Sequence, residues 1–291
     1  MQLVSQLVQP MENSMPSVPQ RPPSITMLSR PCRRNSTRGF SLVEIAVVLV
    51  IIAILTAIVA VPLATQVEQR RIEETQRLLD TARDALYGFA AANGRLPCPA
   101  INGTTGQEKF CTAGTGACGA LLTVAPTHGR CASFIGVLPA VTLGISPVDA
   151  TGYAQDAWAD GSTLRRIGYG VSDYQKPLAT DYVLTSPDGI KTATMGSTAG
   201  ANHLYICSTG LTAASPSTAC GASVATLADK APAVLFSLGK NNAAVSFDEI
   251  SNQNNDKVFS SGIRTETYDD IVTWLSLNTL FDRMVKAGKL P

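Results

Sequence analysis

The longest apolar run in the chain extends from Ile45 to Val61 and contains no charged residue. Continued to Ala64, it makes a helix of roughly 30 Å, which matches the hydrocarbon thickness of a bilayer. The pattern therefore predicts a membrane-spanning helix over residues 40–64. One carboxylate, Glu44, lies near its start. Because a charge in this setting costs on the order of 2.5–3.5 kcal/mol, we expect Glu44 to have a functional partner.

Beyond the span, apolar residues recur at helical spacing in an otherwise polar segment, which predicts an amphipathic helix over residues 65–94. Asn93-Gly94 followed by Pro97 ends this helix, because Gly adopts the left-handed cap conformation and Pro cannot continue the hydrogen-bond ladder. The stripe expected to be buried consists of Ile72, Leu79, Ala82, Leu86 and Phe89.

The segment from Leu96 to Thr151 is rich in Gly, Pro, Ala, Thr and Cys and has no sustained period, which predicts a long loop region. Short strand-like runs follow, separated by Gly, Pro, Asp and Asn. Regular turn signals between such runs favour an antiparallel sheet. The four predicted strands are Arg166–Val171, Tyr182–Thr185, Leu204–Cys207 and Ala233–Leu238.

The C-terminal segment predicts a short strand over Tyr268–Leu275, then a helix that Ser276 caps and Gly288 ends. Together the elements predict an α+β domain over residues 95–291, in which the antiparallel sheet packs on the apolar stripe of the long helix. The face of the short C-terminal helix expected to be buried consists of Leu277, Leu280, Phe281 and Met284.

Charge adds an orientation to this picture. The net charge of the 291-residue chain is +1, so we expect no nucleic-acid partner. Arginines precede the span and glutamates follow it, and the positive-inside rule then places residues 1–39 in the cytoplasm and residues 95–291 in the periplasm. The chain is thus predicted to be a single-pass inner-membrane protein. The residues concerned are Arg30, Arg33, Arg34 and Arg38, then Glu68, Glu73 and Glu74.

Residues 1–26 are rich in Pro, Ser and Gln and lack periodicity, so we expect them to be disordered. Met27 begins a compact basic segment, and we expect it to be the true translation start. Residues 1–26 would then not be translated.

The segment directly before the apolar run, Arg33–Glu44, reads RRNSTRGFSLVE. An ordinary secretory signal has its small-residue cleavage site after the apolar run, whereas Gly39 precedes it here. This segment closely resembles the class III leader of type IV prepilins and type II secretion pseudopilins. The resemblance implies cleavage after Gly39, methylation of the new Phe40 amine, and pairing of Glu44 with the N-terminal amine of a neighbouring subunit.

The same resemblance implies a pilin-like fold and a structural subunit of a type II secretion pseudopilus or a type IV pilus. Its partners would be the prepilin peptidase, other pilins or pseudopilins, the inner-membrane assembly platform and the membrane itself, and a pilus subunit would become extracellular. Two other functions stay open: an adhesive or ligand-binding module displayed on a pilus, with the cysteine-rich loops as its surface, and a membrane-anchored periplasmic domain that never polymerises.

Six of the seven cysteines fall in the part predicted to face an oxidising compartment, so three disulfides are expected. Cys207 and Cys220 bracket a short segment that reads as a closed loop. The pairing among Cys98, Cys111, Cys118 and Cys131 stays open. Zinc is less favoured than disulfides, because no CxxC spacing occurs and the two histidines are isolated.

No cofactor is predicted, with calcium as the one candidate, since oxygen-rich side chains on a loop suit this ion. Major pseudopilins bind calcium near the C-terminus, which raises the expectation; a solvated Asn/Asp turn is the default. The candidate ligands are Asp248, Asn252, Asn254, Asp256, Asp269 and Asp270.

No enzyme is predicted, because the chain carries no nucleophile motif that would support a catalytic triad. Asp269 and Asp270 are adjacent, and on a strand their side chains would point to opposite faces. They are therefore not expected to act as an acid/base pair on one substrate.

Overall fold

The computed structural model describes residues 39–159, 165–175, 181–193, 198, 203–212, 219–222, 224–242 and 244–290, without the side chains of residues 58–63. The predictions for residues 1–38, including the disorder of residues 1–26 and the start at Met27, lie outside these ranges. Contacts divide the chain into two units, Met1–Thr56 and Ala57–Pro291, and each is described by itself.

Helix α1 comprises Leu42–Asn93 and therefore includes both predicted helical segments. It ends as predicted: Gly94 has φ 68° and its N–H donates to the Ala90 carbonyl at 2.8 Å. Among the residues described, no helix was found that combines the length and the apolarity needed to cross a bilayer. The structure does not describe the side chains of residues 58–63, which belong to the span predicted over residues 40–64.

The apolar stripe of α1 is buried where it meets the sheet. Leu79, Ala82 and Leu86 are at most 1% exposed, as predicted, whereas Ile72 and Phe89 at the two ends of the stripe are half-buried. In the second unit this stripe forms one core with Tyr169 and Leu235 of the sheet and with the C-terminal helix. The predicted packing of helix on sheet is therefore confirmed for this part of α1.

The described strands form two sheets and a small hairpin. They are β1 Phe110–Cys111, β2 Leu121–Leu122, β3 Ile135–Val137, β4 Gly168–Val171, β5 Leu204–Ser208, β6 Thr226–Ala231, β7 Ala233–Ser237, β8 Val258–Ser261 and β9 Ile271–Trp274. The main sheet is four-stranded and antiparallel, with the order β3-β4-β7-β9. A second sheet has the order β6-β5-β8, in which β5 and β8 are parallel, and β1 and β2 form the hairpin.

Three of the four predicted strands are present as β4, β5 and β7, but they do not share one sheet as predicted, because β5 pairs with β8 in the second sheet. The prediction of a strand over Tyr182–Thr185 is wrong. The N–H groups of Thr185 and Ser186 both donate to the Tyr182 carbonyl, at 3.1 and 2.8 Å, so the chain turns back here instead of extending.

The described part of the chain contains four shorter helices whose bounds are given in full: α2 Ala140–Leu143, α3 Gly189–Thr192, α4 Phe247–Gln253 and α5 Leu277–Lys286. In α5 the predicted face is buried, and Ser276 is the N-cap residue as predicted. The cap differs from the prediction in detail, because the Ser276 side chain makes no capping hydrogen bond. The Ser276 backbone N–H donates to the Tyr87 hydroxyl at 3.0 Å.

Three disulfides are present, as predicted. Cys207 pairs with Cys220, which confirms the closed loop, and the two pairings left open are Cys98–Cys131 and Cys111–Cys118. The predicted loop region also contains strand β3, which joins the main sheet and was not predicted.

A buried ion pair ties the loop region to the end of α1. The two terminal guanidinium nitrogens of Arg95, Nη1 and Nη2, each donate to the Glu108 carboxylate at 2.8 Å, and the guanidinium lies 5.0 and 5.2 Å from the ring centres of Phe89 and Phe110. Glu108 also accepts the Cys98 N–H at 3.2 Å, next to a disulfide. The pair therefore holds the first cysteine of the loop region against the helix end.

Candidate functional site

The predicted cleavage junction lies at the very start of helix α1. The Ser41 hydroxyl accepts the Val43 N–H at 3.3 Å, and the Ser41 carbonyl accepts the Ile45 N–H at 3.1 Å, so Ser41 begins the helix. Phe40 is 76% exposed, and a Cβ placed on Gly39 would meet no atom within 4 Å. The residues described from 39 onward therefore do not cover the Gly39–Phe40 bond, which lies just before the helix.

Glu44 lies in the first turn of α1 and is exposed. A carboxylate here interacts favourably with the partial positive charge at a helix N-terminus. Ser41-Leu42-Val43-Glu44 also has the Ser-x-x-Glu form of a helix-capping box, a local signal that our sequence reasoning missed. An acidic residue at position 44 therefore modestly stabilises the start of the helix, in addition to its predicted role between subunits.

The apolar residues after Glu44 are not covered by the rest of the described chain. Every side chain from Leu42 to Ala57 is exposed, and large ones such as Leu49 and Leu55 are 61% and 57% exposed. A contiguous apolar surface of this kind marks contact with a membrane or another protein. The first unit therefore presents an interaction surface directly behind the cleavage junction.

Residues 34–60 match the family model of the prokaryotic N-terminal methylation motif. This segment is the class III leader of type IV pilins and pseudopilins, and the motif supports a processed, pilin-like subunit. No curated protein and no solved structure matches the chain significantly.

A second candidate site is an acidic cluster beside β9. Glu249, Asp269 and Asp270 each offer a carboxylate oxygen, and these oxygens lie within 4.8 Å of one another. The sequence argument placed Asp269 and Asp270 on opposite faces of a strand. That was wrong, because β9 begins only at Ile271 and the two carboxylates approach each other before it.

The other predicted calcium ligands make hydrogen bonds within the protein. The Asp248 carboxylate accepts the Gly210 and Leu211 N–H groups, and Asn252 donates to Asp270 at 2.7 Å. The remaining two bond to each other, Asn254 donating to Asp256 at 2.7 Å. Glu249, which was not among the six predicted ligands, belongs to the cluster, and its N–H and carboxylate form a capping box with Ser246 at the start of α4.

The pKa of Asp270 is raised to about 7, mainly by burial and also by the nearby Glu249 and Asp269 carboxylates, while the Asn252 hydrogen bond and Arg264 act to lower it. One oxygen of Asp269 and one of Asp270 are buried without a hydrogen-bond partner among the described residues. Buried oxygens without partners are costly. A hard divalent cation accepts such oxygens as ligands, and these residues fit one.

A buried Ser–His contact was also missed by the sequence argument. The Ser172 hydroxyl and His203 Nδ1 are 2.8 Å apart, and His203 Nε2 lies 2.9 Å from the Thr198 carbonyl oxygen. Both side chains are at most 1% exposed, and burial lowers the pKa of His203. Among the described residues the pair therefore has the character of a core contact.

Proposed function

We propose that this chain is a structural subunit of a type II secretion pseudopilus or a type IV pilus. It is cleaved after Gly39, methylated on the Phe40 amine, and held in the inner membrane by residues 40–64. The observation that carries the proposal is the methylation motif at residues 34–60 joined to the first part of α1, where every side chain from Leu42 to Ala57 is exposed. The three disulfides are consistent with residues 95–291 lying in the periplasm, or outside the cell in a pilus.

In this function the prepilin peptidase cuts the leader, and the apolar helix then passes from the membrane into a filament through the inner-membrane assembly platform. Neighbouring helices cover the apolar surface that the single chain leaves open. Glu44 and the new amine at Phe40 carry opposite charges in an apolar setting, where a pair between adjacent subunits removes the cost of each. That pair would fix the axial register of the filament.

Replacing Glu44 with Gln should leave membrane insertion and cleavage intact and reduce filament yield at least about tenfold. The amide keeps the shape of the side chain but removes the charge that pairs with the neighbouring amine, and a lost contact of about 2.5 kcal/mol already exceeds a factor of ten. Sheared or purified filaments, quantified against total mature subunit, give the measurement.

The matched control is Ser41→Ala, which removes the observed helix cap and keeps the carboxylate. It costs about 1 kcal/mol of local helix stability and should assemble nearly as well as the wild type. Normal filaments from Glu44→Gln would contradict the proposed role. A wild-type chain that is processed but forms no filament in its own cell would favour the non-polymerising anchored domain.

The acidic cluster carries a second candidate function, a stabilising calcium site. With a dissociation constant near 10⁻⁴ M, as in extracellular calcium modules, 10 mM calcium would add about 2.7 kcal/mol to the free energy of unfolding. We expect the melting temperature of the detergent-purified full chain to rise with calcium over EDTA, and Asp270→Asn to abolish that rise.

Asp256→Asn is the control, since Asp256 was a predicted ligand but lies outside the cluster. It should keep the calcium response. A melting temperature independent of calcium in the wild type, or an equal loss of response in both variants, would contradict this site.

A further inference from the structure

A cavity of about 320 Å³ lies on the face of the main sheet that is turned away from α1. Strands β3, β4 and β7 contribute Gly136, Gly168 and Phe236 to its wall. The Phe236 ring lies directly over Gly168, where any Cβ would overlap it. The glycine thus leaves room for the tip of the Phe236 ring, which is 7% exposed and also packs against Phe259. The volume suits a small organic ligand.

The polar part of the wall consists of side-chain amides. Arg166 is the one ionic side chain among the residues that line this cavity, and its charge is already met: it pairs with Asp149 at 3.3 Å and lies 3.8 Å from the ring centre of Tyr153. The cavity therefore offers neutral donors and acceptors and has no unbalanced charge that would select an ionic ligand. The amide residues are Asn102, Asn242, Asn252, Gln253 and Asn255.

Two of these amides have unmet hydrogen-bonding capacity. The Asn242 carbonyl oxygen and the Gln253 amide nitrogen are both shielded from water and have no partner among the described residues. Each such group costs about 1–3 kcal/mol when left unpaired. One is an acceptor and the other a donor, and their terminal torsions turn easily. A hydroxyl group, which donates and accepts, satisfies both kinds of group.

The backbone at two of the amide residues is held in an uncommon conformation. Asn242 and Asn255 have φ 49° and 59°, in the left-handed region that asparagine tolerates better than most residues. A second cavity of about 130 Å³ shares Ile135 and Asn255 with the first, so the cleft continues along β3. The extension has three charged residues: Lys257 and Asp173 pair with each other at 2.6 Å, and the Asp256 carboxylate accepts hydrogen bonds from the Asn254 amide and the Val258 N–H at 2.7 and 2.8 Å.

An extended peptide fits this cleft less well. Strand addition requires free backbone groups at a sheet edge. At Val137 of the edge strand β3, both the N–H and the carbonyl already bond to Ala100, at 3.0 and 2.9 Å. The cleft therefore offers side-chain amides and an aromatic edge rather than an open backbone ladder.

We propose that this cleft binds a neutral saccharide, with Asn242, Gln253 and Asn255 bonding its hydroxyl groups and the exposed edge of Phe236 contacting its C–H groups. The proposal does not depend on filament assembly, because the cleft lies wholly within the second unit. It also differs from a binding surface on the cysteine-pinned loops.

The test uses the full chain in a sugar-free zwitterionic detergent, since maltoside detergents would compete. The labelled protein is applied to an array of neutral glycans, acidic glycans and peptides, and hits are titrated in solution. We expect neutral glycans to bind. The double variant Asn242→Gly/Gln253→Ala, which keeps the positive φ at residue 242, should weaken binding at least about tenfold.

Gln107→Ala, an exposed amide outside the cleft, is the matched control and should bind like the wild type. Asn255→Gly is an independent second variant that should also weaken binding, and the melting temperature shows that each variant is folded. Binding of acidic glycans or peptides alone, no binding at millimolar glycan, or equal affinity in folded wild type and double variant would overturn the proposal. Each cleft variant should mature normally. A failure of saccharide binding can therefore be distinguished from a failure of the filament proposal.

Discussion

Replacing Gly39 with Val blocks maturation and leaves the uncleaved precursor in the membrane. The expected cut lies between Gly39 and Phe40, and a β-branched side chain beside the scissile bond restricts the backbone and fills space at the peptidase. The protein itself does not oppose the substitution, because a Cβ at this position meets no atom within 4 Å. The effect is therefore one of recognition and not of folding, and it should be nearly complete.

The N-terminal peptide, analysed by mass spectrometry, measures this result. The wild type should yield a peptide that begins with singly methylated Phe40, whereas Gly39→Val should yield only leader-bearing peptides. Gly88→Val provides the control, since Gly88 is an exposed position of α1 where a Cβ also meets nothing. It should mature normally. Normal maturation of Gly39→Val would remove the cleavage assignment.

Replacing Glu108 with Gln should lower the free energy of unfolding by about 3–5 kcal/mol, because it leaves the Arg95 charge buried without its partner. The side chains of the pair are 10% and 5% exposed, and the two bonds between them are both 2.8 Å. The loss should be largest where the loop region meets α1. Urea denaturation of the full chain in detergent, followed by near-ultraviolet circular dichroism, measures it.

Glu73→Gln is the matched control, since it removes an ion pair with Arg77 whose side chains are 61% and 82% exposed. Exposed pairs of this kind contribute at most about 1 kcal/mol, so its stability should be close to wild type. The double variant Arg95→Met/Glu108→Leu should be more stable than Glu108→Gln, because it leaves no buried charge behind. Equal losses in Glu108→Gln and Glu73→Gln would contradict the structural role of the buried pair.

Local signals predicted the helices well. The end of α1 at Gly94 and the buried face of α5 follow from residues within one or two turns of each other, and both are confirmed. The strands were less predictable, because their pairing depends on residues far apart in the chain. Three residues suffice for β3 when β4 and Ala100 complete its bonding, and a run that short has no signal of its own.

The two candidate sites also differ in how well the sequence predicts them. The junction at Gly39, Phe40 and Glu44 is contiguous in sequence, so its motif was visible, and the family match covers it. The acidic cluster joins Glu249 to Asp269 and Asp270 across a turn and a strand. Composition alone pointed to that region but chose several ligands that the structure engages elsewhere.

The sequence by itself determined the leader motif, the long helix with its buried stripe, the number of disulfides and the α+β class. The leader motif depends on the order of neighbouring residues, the helix and the fold class on the periodicity of apolar residues, and the number of disulfides on the predicted compartment. All of these can be read from the linear sequence. Tertiary structure alone decided which of the four clustered cysteines pair, which carboxylates converge, and where the amides form a cleft. Those features depend on distances between segments that only the packed sheets bring together.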